Sequence, residues 1–426
     1  SPLFNGNPDY YDFVDNRGVK LFPQEYDENK WKLAADAALE AITVAESAGH
    51  KLYYFQTSPF PVSQATMTQM SCRMAVCDRE NDEVIWGMTG SRGRAGNDLQ
   101  AGCMAFLDPE IDAGYVRASM APTMAVVETF YTRNGVPITE DRTLDYSRPN
   151  ELRSSTTAEM VNIQNGYTTA RINFDRENRF YASVGFDGGK WLMENHPSRN
   201  DVDTYTLECK YGQKGYGGAR GATSSTGYFT KKLVHWKSNF FKITGTGSYE
   251  YAFPEIRLAE MYLAYAEALN ELGRTAEAME QLNQTRRRVG LPDMTQALLE
   301  ANQGYKTLPT YTEPLVGDPL LREEILDERA REFCFEEVRW FDIIRWKRDD
   351  IFKKTLYKVH FDYVSGGQST TNGEWISYDG MKFNYSDPEE MEKRVWAKNF
   401  SPKWYFSAFP PSEINKGYGL IQNPGW

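Results

Sequence analysis

Apolar positions recur at helical spacing in a few stretches of the chain, and between them the spacing breaks into short runs. From Trp31 to Ala48, Ala34, Ala38, Ala41 and Ala45 fall three and four residues apart and Gly49 follows, which predicts a helix closed by glycine. Ile256, Ala259, Leu263, Ala266 and Leu269 form a second stripe. Gly273 then marks a turn, and Ala278, Leu282, Thr285 and Val289 form a third stripe that Gly290 and Pro292 stop. A fourth helix is expected from Leu321 to Glu337, with Leu326, Ala330 and Phe333 on one side, ahead of the aromatic segment from Trp340 to Trp346.

Two adjacent helices with alanines where their backbones must approach closely have the layout of a tetratricopeptide-type unit, although no clean 34-residue repeat is present. Between Tyr53 and Tyr251 the pattern changes to short aromatic or β-branched runs punctuated by Gly, Asn and Asp. The expected organisation is a connector and first helix over 1–52, a loop-rich ligand-binding region over 53–251, a helical scaffold over 252–346 and an irregular C-terminal region over 347–426 packed on it.

Composition narrows the function. Among 426 residues, 48 Lys and Arg stand against 59 Asp and Glu, a formal charge of -11, which repels phosphate backbones and argues against nucleic-acid binding. Aromatic residues make up 14% of the chain, including 26 Tyr and 10 Trp, enough both to fill a core and to stack on sugars. Cys72, Cys77, Cys103, Cys209 and Cys334 show no paired C-x-x-C spacing, and the four histidines show no H-E-x-x-H. No metal site and no cofactor is expected on that basis, and bound calcium cannot be read from sequence. No run approaches the ~18 apolar residues that span a bilayer, and the start, Ser1-Pro2-Leu3-Phe4, is not a secretory signal.

Several longer segments carry a family resemblance. They are Pro254-Glu255-Ile256-Arg257-Leu258-Ala259-Glu260-Met261-Tyr262-Leu263, continuing to Gly273; Glu328-Arg329-Ala330-Arg331-Glu332-Phe333-Cys334-Phe335-Glu336-Glu337-Val338-Arg339-Trp340-Phe341-Asp342-Ile343-Ile344-Arg345-Trp346; and the ending Phe409-Pro410-Pro411-Ser412-Glu413 with Gln422-Asn423-Pro424-Gly425-Trp426. Weaker pieces lie at Pro122 to Ile138 and Asn178 to Val184. In this order they resemble the SusD/RagB family of surface lipoproteins that work with SusC-like TonB-dependent transporters.

The resemblance implies a mainly α fold with tetratricopeptide-like helix pairs and a loop-rich region of short strands. It implies a non-enzymatic protein, lipid-anchored at the outer membrane and exposed on the cell surface, that captures oligosaccharides and closes as a hinged lid over its transporter. Peptide capture is the alternative within the same family. Ser1 to Asn7 resembles a segment that relatives carry well inside the chain. A preceding helical portion with the lipid-bearing cysteine is therefore expected to be missing.

Glu328, Glu332, Glu336 and Glu337 stand at helical spacings among Arg329, Arg331 and Arg339. Paired carboxylates are what glycoside hydrolysis needs, yet neighbouring arginines hold carboxylates ionised, whereas a general acid needs a raised pKa. Ion pairs are the favoured reading, and Arg257, Glu260, Glu328, Arg329, Arg339, Trp340, Asp342 and Arg345 are assigned structural roles. The glycine-rich run from Gly212 to Gly221 lacks the Lys-Ser/Thr of a phosphate loop and reads as a flexible surface loop. Tyr205, Tyr211, Tyr216 and Arg220 in and near it, with Trp191 and Trp236 in polar local sequence, are the candidate ligand contacts. Trp86 and Trp340 read instead as core. A glycoside hydrolase and a general helical scaffold for protein partners are the rival functions.

Overall fold

The computed structural model describes residues 1–56, 58–89, 99–108, 110–111, 115–210, 213, 224–242, 245–363, 381–391 and 399–426. The first part holds α1 (Asn29–Ser47), α2 (Gln64–Cys77), β1 (Val84–Met88), α3 (Leu99–Cys103) and α4 (Met124–Thr129). Short elements follow: β2 (Leu152–Ser154), β3 (Thr168–Ala170), α5 (Asn178–Ser183), β4 (Val184–Phe186), β5 (Lys190–Trp191), β6 (Tyr205–Thr206) and β7 (Tyr228–Thr230). Then β8 (Phe253–Arg257) runs directly into α6 (Leu258–Glu271), α7 (Thr275–Arg288), α8 (Gln296–Gln303), α9 (Pro319–Glu332), α10 (Val338–Arg345) and α11 (Asp349–Phe352). β9 (Tyr357–Tyr363), β10 (Met381–Glu390) and the single turn α12 (Pro411–Ile414) end the chain.

The described strands pair only two at a time and antiparallel, β1 with β8, β2 with β3, β4 with β7, β5 with β6 and β9 with β10. The fold is thus mainly α, with helix pairs as the scaffold, as expected.

α6 and α7 form the predicted hairpin, turning at Gly273 with φ +73°. Their inner faces, Leu258, Leu263, Ala266 and Leu269 with Ala278 and Leu282, join one core with Leu321 and Ile325 of α9 and with Trp346. Ile256, read as the first residue of the α6 stripe, belongs to β8. α1 lies on the same core, but its buried stripe is Trp31, Ala35, Ala38, Ile42 and Ala45. Ala34 is exposed, so the expected face is rotated by about one residue. The larger side chains decide this, since burial of Trp31 and Ile42 removes far more apolar area from water than alanine can.

A second core contains Met70, Met74, Ala75, Val76 and Cys77 of α2 with Phe106, Trp191, Phe229 and Trp236. The third lies around Phe130, Phe174, Phe180, Phe186 and Tyr228. α2 is buried on nearly every side, so its sequence has no amphipathic period to detect. Its polar members are satisfied inside: Arg73, only 1% exposed, donates from Nε to the Val234 carbonyl at 2.8 Å and from a terminal nitrogen to the Leu192 carbonyl at 2.9 Å.

The helix expected to run to Glu337 ends at Glu332. Asp318 caps its start by accepting from the Leu320 and Leu321 amides, and Pro319 occupies the first turn. At the other end Phe335 and Glu337 take the left-handed φ values +69° and +66°. These break the helix and reorient the chain into α10, which the aromatic segment forms.

Candidate ligand-binding site

The structure places Trp191, Tyr205 and Trp236 in the second core, where they present no ring face to solvent. Trp191 packs so closely on Gly185 that a Cβ there would lie 2.7 Å from its ring. Trp236 is edge-on to Phe55 and Phe60 at 5.4 and 6.0 Å. Tyr211, Tyr216 and Arg220 lie outside the described residues. The two tryptophans read as core are the exposed ones: Trp86 is 66% exposed on β1, and Trp340 is 47% exposed on α10 with its edge against Phe352. Neighbouring polarity misled in both directions, because the ring is placed by partners distant in sequence.

The arginines and carboxylates of the motif segments form a buried ionic framework. Arg257 pairs with Glu83 at 2.6 Å, Glu336 at 2.7 Å and Glu332 at 2.8 Å, joining β8 to the α9–α10 connection. Glu328 is held by Arg179 at 2.7 Å and Arg331 at 2.9 Å. Arg329 reaches Asp342 at 2.8 Å and Glu260 at 3.8 Å. Arg345 grips Asp342 at 2.7 Å and also pairs with Glu267, whose carboxylate accepts from Trp346 Nε1 at 3.0 Å. Arg339 donates to the Leu326 carbonyl at 2.9 Å.

Burial pushes the Glu328 and Asp342 carboxyls upward, but the opposing guanidiniums win. Arg179 and Arg331 bring Glu328 down to about 2, and Arg329 and Arg345 bring Asp342 down to about 2. Glu332 is driven well below the carboxylate range, led by Arg288 and Arg257 against its burial. Carboxylates held so strongly ionised are poor proton donors.

In front of this framework opens a cavity of about 930 Å³, bounded by β1, α3, β8, the first turn of α6 and α10. Its size suits ligand binding. Apolar surface comes from Met88, Met120, Phe253 and Phe341, with Phe341 65% exposed. Glu255 and Glu337 stand exposed at its rim. Glu260 is half-buried in its wall, and its pKa is raised by burial against the pull of Arg329. Arg117 supplies a guanidinium. The wall cations Arg257, Arg329 and Arg345 are already committed to carboxylates. Stacking surface and hydrogen-bond acceptors therefore dominate the available chemistry. The α10 side of this site was reachable from the sequence, since Phe341 lies in the longest motif. The β1 side was not, because only the β1–β8 pairing brings Met88 against Phe253.

A helical scaffold with small paired strands thus borders an open, aromatic-edged cavity. A sequence model described as the SusD family matches residues 82–426, and the chain belongs to that family. It is 39% identical over 89 residues, 21% of its length, to the SusD-like protein P38 of Formosa agariphila, of which that stretch covers 16%. Among solved structures, BT4246 is 25% identical with a TM-score of 0.75 over 100% of this chain and 68% of that one. A SusD-like protein from Bacteroides fragilis is 22% identical with a TM-score of 0.59 over 92% of this chain and 63% of that one. The chain thus spans about two thirds of the length of these solved relatives and a small part of the curated one.

Proposed function

We propose that this protein captures neutral oligosaccharides in the cavity between β8 and α10 and hands them on without chemical change. The observation that carries the reading is Phe341, an exposed ring on a short helix clamped by buried ion pairs, at the mouth of a cavity rimmed by carboxylates. Such a ring can stack on the apolar face of a sugar while Glu255, Glu260 and Glu337 accept from its hydroxyls. The same carboxylates disfavour sulfated and uronic-acid glycans by like-charge repulsion.

Family membership supports a cell-surface role with a SusC-like TonB-dependent transporter as recipient, and lipid anchoring at the outer membrane is part of the same proposal. Among the described residues, no helix is long and apolar enough to cross a membrane.

A binding screen checks the reading. Neutral polysaccharide digests, sulfated and uronic-acid oligosaccharides and a casein digest are titrated in parallel, and the ligands are recovered for chromatography. Binding of neutral glycans with no shortening of the chains is expected. Binding confined to peptides would transfer the role to peptide uptake, and shortened products would make the protein a hydrolase.

A further inference from the structure

The cavity in front of β8 has two unlike walls. On one side stand Phe341 and the carboxylates of Glu255, Glu260 and Glu337. On the other, Met88, Leu99 and Met120 line the same space, and the two methionines are 49% and 42% exposed, so their thioethers are open to a ligand.

The backbone of this apolar wall is fixed. Arg117 and Met120 donate their amides to the Ala101 and Gly102 carbonyls of α3 at 2.9 and 3.1 Å. Met120 packs over Gly102, its Sδ 3.8 Å from where a Cβ would stand, and Met88 is held by its pairing with Phe253. Unbranched, polarisable side chains on a fixed backbone give a surface that is apolar and pliable. Among the polar members of the wall is Ser119, an exposed residue whose hydroxyl makes a long 3.5 Å bond to the Gly102 carbonyl.

A bare pyranose stacked on Phe341 would turn hydroxyls toward Met88, Leu99 and Met120, where they lose water and gain no partner. A sugar that carries a methyl-bearing group would bury apolar surface there instead.

Resting on the capture role assigned to this same cavity, we propose that the unit it holds is an N-acetylated hexosamine whose acetyl methyl packs on Met88, Leu99 and Met120. Each part of an acetamido group meets matching chemistry. Its N–H donates into the carboxylate-rich side, its carbonyl accepts from the Ser119 hydroxyl, and its methyl meets the thioethers. An O-acetyl ester lacks the N–H, and a deoxy sugar lacks both polar groups. The acetamido group is also uncharged, in keeping with a rim that repels acidic sugars.

Isothermal titration of the full chain tests this with two matched pairs. One is the N-acetylglucosamine tetramer against cellotetraose, which share length and linkage, and the other is the methyl glycosides of N-acetylgalactosamine and galactose. In at least one pair the acetylated member is expected to bind about tenfold or more tightly, the gain of one buried methyl and one charge-assisted bond. The double variant Met88→Gln, Met120→Gln should lose that preference, and Met88→Leu, Met120→Leu should keep it. Both positions are half exposed, so the melting temperatures of both double variants should stay close to that of the unmodified chain. Equal affinities within both pairs, with both members weakened by Phe341→Ala, would overturn the acetamido assignment and leave the capture role standing. A preference that survives the glutamine variant or vanishes in the leucine one would overturn it too, as would failure of both acetylated probes to bind. Binding indifferent to Phe341→Ala would remove the capture role along with it.

Discussion

Carboxylates and guanidiniums removed from water lose hydration that only close pairing can offset, and here Arg257, Arg288, Arg179 and Arg331 share Glu83, Glu328, Glu332 and Glu336 across several elements. Removal of one partner leaves an uncompensated buried charge, so Arg257→Met is expected to cost about 3–5 kcal/mol, measured by urea unfolding. A loss below about 1 kcal/mol would show that the framework is not bearing the fold. The pH dependence follows with a defined sign. Burial holds His235 neutral, its pKa lowered from 6.5 to about 2, and its Nδ1 accepts from the Lys237 amide at 3.0 Å. Glu328 and Asp342 are depressed from 4.5 and 3.8 to about 2. Each group binds its proton more readily unfolded than folded, so its contribution is full above the unfolded value and drains as pH falls toward about 2. The urea midpoint should therefore decline from about pH 6.5 and steepen below about pH 4.5. A midpoint that stays flat between pH 7 and 4 contradicts this account.

At the level of elements, what could be read from the sequence depended on whether large apolar residues and alanines keep helical spacing among polar ones. α6 and α7 keep it, α6 although none of its residues is fully exposed. α2 does not, and its mixture of Met, Cys, Ser and Arg only makes sense once Val234 and Leu192 supply carbonyls to Arg73. The end of α9 was equally hidden, because the left-handed turns at Phe335 and Glu337 are imposed by the docking of α10 rather than by local propensity. Glu337→Gly should relieve that turn and stabilise the protein by up to about 1 kcal/mol, visible as a higher melting temperature. Gly185→Ala should do the reverse, costing about 1–3 kcal/mol as its methyl meets the Trp191 ring at β4.

Across the whole molecule, the helical scaffold was legible in the periodicity of α6 and α7, and the family in the resemblance of the motif segments. The candidate binding surface was not legible in the same way. Trp191 and Trp236 follow or adjoin polar residues yet fill a core, whereas Trp86 follows Val84 and Ile85 yet faces outward, as do Trp340 and Phe341 of the motif. Only the assembly of β1, β8, α3 and α10 around one opening singles out Phe341, the one of these three rings that lines it. Trp191→Ala should accordingly lower stability by about 3–5 kcal/mol, read from urea unfolding. Phe341→Ala, which removes an exposed ring, should leave the melting temperature nearly unchanged.

The capture role itself stands or falls on isothermal titration of the unmodified chain and Phe341→Ala with the same neutral oligosaccharide, followed by chromatography of the recovered ligand. The account predicts binding to the unmodified chain, about tenfold or greater weakening in Phe341→Ala, and ligand returned at its original length. Equal binding by both proteins, or ligand returned in shorter pieces, would contradict it.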